Sequence, residues 1–188
     1  MQNFKDKLRI KEEAKIEEFF NDLDSYKIDF PNSHKDINED VLRDGLEKCN
    51  LAQDAVLQVE RIFREDISSI RIYLRTLKTH YKISYNEILS EDDRKISVEL
   101  KKAAAEAQLK DSIYELNEVE SWLSLLENSL EYILSKKSDI KQKNYDFKSL
   151  YKIYSLDKES MPIKSFYASW DKENNSGKSV EDLLECLD

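Results

Sequence analysis

The stretch from Ser90 to about Lys143 narrows the possible folds more than any other part of this chain, because no glycine or proline interrupts it. Its apolar residues fall at Ile96, Leu100, Ala103 and Ala107, then at Leu109, Ile113, Leu116, Val119, Leu123, Leu126, Leu130 and Ile133. The steps are threes and fours with one slip after Ala107, a heptad-like seam that predicts one helix of about 50 residues, roughly 80 Å long. Ser90 is the expected N-cap, with Asp93 three places on to complement the helix dipole, so the predicted helix begins at Glu91. A stripe of that length must be buried on a partner helix or on another subunit.

A second periodic segment precedes it. Ala52, Val56, Val59, Phe63, Ile67, Ile70, Leu74, Leu77, Tyr81, Tyr85 and Ile88 again step by three and four, and Asn38 is placed to cap the helix that carries them. Only Leu89 and Ser90 separate this helix from the next, which forces an antiparallel hairpin. Gly45, Gly177, Pro31 and Pro162 are the only strong backbone breakers in 188 residues, too few for the turns of a β-protein. The fold class expected is therefore all-α: a long, coiled-coil-like helical hairpin over 39–143, a shorter N-terminal helix, and an acidic C-terminal tail. Residues 1–158 are read as a single helical domain.

At the N-terminal end, residues 3 to about 24 predict a first helix through Phe4, Leu8, Ile16, Phe19, Phe20 and Leu23, with a ragged stripe around Lys11 to Lys15. The segment from Ser25 to Ile37 contains Pro31 and reads as a loop. Beyond Lys143 a helical extension is expected through Phe147, Leu150, Tyr151 and Tyr154. Residues 159–178 read as a flexible linker. The closing SVEDLLECLD carries Val180, Leu183, Leu184 and Leu187 on a short acidic amphipathic turn, either a docking peptide for a protein partner or a segment that folds back on the hairpin.

The chemistry that the residues exclude is informative. Two glycines 132 positions apart rule out a P-loop, a dinucleotide-binding fingerprint and a nucleophile elbow. His34 and His80 lack an i, i+4 partner, and Cys49 and Cys186 stand without CxxC or histidine spacing, so neither metal nor cofactor is expected. Two unpaired thiols and no apolar run of signal-peptide length point to a soluble protein of a reducing cytoplasm. The net charge of −9 argues against a surface that coats nucleic acid everywhere, so charge has to be read by segment. Two stretches depart from the acidic average. RIYLRTLKTHYK (71–82) places Arg71, Arg75, Lys78 and Lys82 at spacings of 4, 3 and 4, one stripe beside the apolar seam. KKSDIKQKNYDFKSLYK (136–152) holds Lys136, Lys137, Lys141, Lys143 and Lys148 with Tyr145 and Phe147 among them. Cations interleaved with aromatic rings suit single-stranded nucleic acid, where lysines meet phosphates and rings stack on bases; the alternative is a solvated basic face with tyrosines in the core.

The order and pattern over about residues 52–150 resemble the UvsY family of phage recombination mediators. A helix ends in the aromatic-rich THYKISY, a short polar turn follows, and a long helix carries ELKKAAAEAQLKD and then ESWLSLLENSLEYILSKKSDIKQKNYDF. In that last run Trp122 precedes turns of Leu and Ile, and the basic Lys136, Lys137 and Ser138 lead to Ile140 and Lys141. The chain departs from the family in carrying ILSEDD where a glycine-containing turn is usual. The resemblance implies a non-enzymatic protein that binds single-stranded DNA, displaces the single-strand binding protein, loads a recombinase and assembles as a homo-oligomer in the cytoplasm of an infected cell. A coiled-coil scaffold that binds only protein partners is the competing reading.

Overall fold

The structure is a computed structural model and describes residues 4–31, 36–90 and 97–156. The described chain is all-α: a 3-10 turn at Phe4–Lys7, then α1 (Glu13–Ser25), α2 (Glu39–Ser90), α3 (Val98–Gln108) and α4 (Lys110–Leu156). The two long helices, α2 and α4, pack together antiparallel as a helical hairpin. Val180, Leu183, Leu184 and Leu187, together with His34, lie outside the described residues.

The capping of α2 is as the sequence predicts. Asn38 Oδ1 accepts from the Val41 amide at 2.9 Å, and Asn38 O accepts from Leu42 N, so both halves of the cap satisfy amides that the first turn leaves free. Two expectations about the long helices are corrected. Ser90 is the last residue of α2 and its hydroxyl donates to Glu87 O; the next described helix is capped instead by Ser97, whose Oγ accepts from Leu100 N. The predicted single helix is two, broken at Leu109 (φ −95°, ψ 14°), just after the slip in the seam at Ala107. The ladder survives the break, because Leu109 N bonds Ala105 O and Ile113 N bonds Leu109 O. The extension expected beyond Lys143 is present as the continuation of α4 to Leu156, where Ile140, Phe147, Leu150 and Ile153 prolong the buried stripe.

The packing divides into two compact units. The first comprises Met1–Glu18 and Val59–Ile133. Its core holds Phe63, Ile67, Ile70 and Leu74 of α2 with Val119, Trp122, Leu126 and Ile133 of α4. Arg71 pairs with Glu127 and Lys78 with Glu120, so rising numbers on α2 meet falling numbers on α4. The N-terminal helix expected over residues 3–24 begins only at Glu13. The reason is Asp66, a buried carboxylate that accepts the amides of Arg9 (3.0 and 3.1 Å) and Ile10 (2.8 Å) and so holds this stretch out of a helical ladder. Phe4 stacks on Tyr73, Lys5 Nζ stands 4.5 Å from the Trp122 ring centre, and Leu8 and Ile10 are buried.

The second unit comprises Phe19–Gln58 and Leu134–Asp188. Its core draws Leu23 from α1, Ile28 from the loop, Leu42, Cys49, Ala52 and Val56 from α2, and Ile140, Phe147, Leu150 and Ile153 from α4. Phe147 fills the space that the missing side chain of Gly45 leaves, and packs at 5.0 Å against Phe30 of the α1–α2 loop. Asn144, buried in an otherwise apolar stripe, donates to Asn50 Oδ1 at 3.0 Å. A one-turn slip of α4 would strand that amide in the core, so the pair fixes the local register.

Candidate nucleic-acid interface

The stripe Arg71, Arg75, Lys78 and Lys82 lies along one flank of α2 as the spacing predicts, but its members differ in what they hold. Arg71 donates twice to Glu127 Oε1, at 2.6 and 3.2 Å, and Lys78 Nζ stands 2.6 Å from Glu120 Oε1. These two cations neutralise acids of α4. Arg75 and Lys82 are exposed, and neither has an ion-pair partner among the described residues. Tyr73 is committed elsewhere: its hydroxyl donates to Glu115 at 2.6 Å, and that hydrogen bond, with burial and the carboxylate charge, pushes its pKa up to about 12. Tyr81 and Tyr85, one turn apart and half-buried, stack with ring centres 5.9 Å apart and planes 25° from parallel. Lys78 precedes Tyr81 by three residues and Lys82 precedes Tyr85 by three, so each ring has a cation beside it on the helix surface.

The second basic stretch is largely absorbed by the fold. Lys136 Nζ pairs with Asp24 at 2.6 Å, and Lys143 Nζ donates to the Ile28 carbonyl at 2.8 Å, so they tie α4 to the end of α1 and to the segment after it. Lys137 is half-buried; Lys141 and Lys148 are exposed. Tyr145 is half-buried, whereas Phe147 is 1% exposed. A ring at that depth cannot stack on a base, which corrects the expectation for Phe147: its place in the periodic stripe made it core. The exposed lysines of this stretch without such a contact are thus Lys141 and Lys148, with Lys152 beyond them; Lys143 is exposed too but is held by the Ile28 carbonyl.

Two titratable groups in the second unit feel the same interior. Burial pushes the Asp146 carboxyl up to about 6, against the opposing effect of a hydrogen bond from Gln142 Nε2 at 3.0 Å. Burial also raises the Cys49 thiol, and the Asp146 charge adds to that while Lys143 and Lys148 oppose it. A raised thiol is a poor nucleophile, so Cys49 acts as a small apolar core residue. In the sequence Asp146 is one acid within a basic run, and nothing in local composition signals that it is buried. Tyr85 was legible only as part of the apolar seam, and its pairing with Tyr81 follows from the i, i+4 spacing.

Among the described residues no cluster of three or more His, Cys, Asp or Glu side chains is placed to hold a metal ion, and no helix is long and apolar enough to cross a membrane. A scan against protein-family models, a search of curated proteins and a search of solved structures each return no match.

Proposed function

We propose that this protein is a non-enzymatic recombination mediator that binds single-stranded DNA and loads a recombinase onto it. The observation that carries the DNA-binding part is the stacked Tyr81–Tyr85 pair on α2, on the same helix as the exposed Arg75 and Lys82, neither of which has an ion-pair partner among the described residues. Half-exposed rings give bases a sequence-tolerant platform, and adjacent cations without acid partners are free to meet phosphates. The recombinase, the single-strand binding protein and the homo-oligomeric assembly come from the resemblance to the UvsY family. In the second unit, Lys141, Lys148 and Tyr145 offer the same chemistry as a separate patch on α4.

The test is fluorescence anisotropy of a labelled oligonucleotide over a salt series. Each phosphate contact contributes about 0.7 to the slope of log affinity against log salt, so changing Arg75 and Lys82 together to Ala should flatten it by about 1.4. Tyr81→Ala or Tyr85→Ala should weaken binding by about 1–3 kcal/mol at unchanged slope, because stacking releases no counterions. Absence of binding by the folded protein at about 50 mM salt, where phosphate contacts are strong, removes the mediator reading.

A second reading, a scaffold that binds proteins alone, is favoured by the apolar side chains left in solvent: Ile72 and Val98 (each 67% exposed), Leu100 (63%) and Tyr114 (61%). It forecasts an oligomer or a protein complex in sedimentation with no oligonucleotide bound.

A further inference from the structure

In the second unit the α1–α2 loop and the middle of α4 enclose a groove of about 690 Å³. Its apolar base is Leu23, Ile28 and Ile140, and its aromatic walls are Tyr26, 39% exposed, and the half-buried Phe30. The groove is held open by fixed contacts: Lys136 pairs with Asp24, Lys143 bonds the Ile28 carbonyl, and Phe30 packs on Phe147. Both lysines of the lining are consumed by those contacts.

The remaining charge is one-sided. Four aspartates against two lysines line the groove, a net of −2. Asp29 and Asp139 are exposed and have no ion-pair partner among the described residues. Asp146 is different in kind, because its side chain is only 4% exposed, lines the groove, and receives a single hydrogen bond, from Gln142 to Oδ1. A carboxylate offers about four acceptor sites, so beyond the Gln142 bond this one can take further donors from the groove.

We infer that this groove is a binding site for the guanidinium group of an arginine side chain from a partner polypeptide, its head on Asp146 and its alkyl stem between the Tyr26 and Phe30 rings. A guanidinium supplies paired N–H donors in a plane that match a carboxylate, its weak hydration makes it the cation most readily taken below the surface, and it stacks on aromatic faces. The acidic rim of Asp29 and Asp139 attracts the cation at longer range. The site is separate from the stacked tyrosine pair and cations of α2 that carry the DNA-binding reading.

The experiment is titration of the full chain with N-acetyl-arginine amide, followed by backbone amide chemical shifts, beside its neutral isostere N-acetyl-citrulline amide. The arginine compound should give saturable shifts centred on Gln142–Asp146 at millimolar concentration, and the citrulline compound should bind at least about tenfold more weakly. Asp146→Asn should abolish the saturable response. Because that variant alters a buried residue, Asp139→Asn on the exposed rim provides a second reading and should weaken binding about threefold by removing one unit of charge. Equal binding of the two compounds, no saturation up to about 20 mM arginine compound, or an unchanged response in a folded Asp146→Asn protein each overturns the assignment.

Discussion

Replacing Asp66 by Ala should release the N-terminal segment Phe4–Ile10 from the first unit without unfolding the rest. The segment buries Phe4, Leu8 and Ile10, at 8%, 5% and 0% exposed. Burying three such side chains contributes about 5–9 kcal/mol at about 1.5–3 each. Ordering the backbone of seven residues costs about 7–14 kcal/mol at about 1–2 each. Burial alone therefore falls short of, or barely meets, the entropy it must offset. The difference is supplied by Asp66, whose carboxylate takes the amides of Arg9 and Ile10; charge-assisted bonds of this kind contribute about 1.5–3 kcal/mol each, so about 3–6 together. The pairs Lys5–Glu118 and Arg9–Glu65 are too exposed to substitute for it. Native-state amide exchange reads the outcome directly: protection at Arg9 and Ile10 should collapse, and Trp122 fluorescence should shift as Lys5 leaves its ring, while protection at Phe63 and Leu126 persists. Retained protection at Ile10 in Asp66→Ala, with less than about 1 kcal/mol lost on denaturation, would show that apolar packing alone holds the segment and refute the reasoning.

Other perturbations follow from the same contacts. Gly45→Ala places a Cβ closer than 3.0 Å to the buried Phe147 ring, so overpacking of about 1–3 kcal/mol should outweigh the gain of about 1 in helix propensity and lower the melting temperature. Leu126→Ala, at a site with no solvent exposure, should cost about 2–5 kcal/mol in chemical denaturation through the cavity it leaves. The folded pKa of Asp146, about 6, lies above the usual carboxylate value of 3.8, so its protonated form is the one the fold prefers. Its contribution is fully present below about pH 4 and is lost as pH rises through 6, on the order of 3 kcal/mol; Asp146→Asn should remove that part of the pH dependence of stability.

The sequence by itself determined the helices and their pairing, because periodicity and capping act over neighbouring turns and are written in local order. Asn38 caps where it was expected, α2 and α4 run antiparallel, and the slip after Ala107 coincides with the break at Leu109. Phe147 was misread: its spacing from Ile140 and Leu150 fits a core position, but its basic neighbours suggested a stacking ring. Tertiary structure decided which charges are available. Arg71 and Arg75 look alike in the stripe, yet Glu127, 56 residues beyond Arg71, occupies one and leaves the other in solvent. The same holds for Asp66, which reaches back to the amides of Arg9 and Ile10, and for Asp146, whose pKa is set by what the α1–α2 loop and α2 bring over it. A charge's partner is chosen by distance in space, and in a hairpin that distance depends on register, which the buried Asn144–Asn50 pair sets for the second unit.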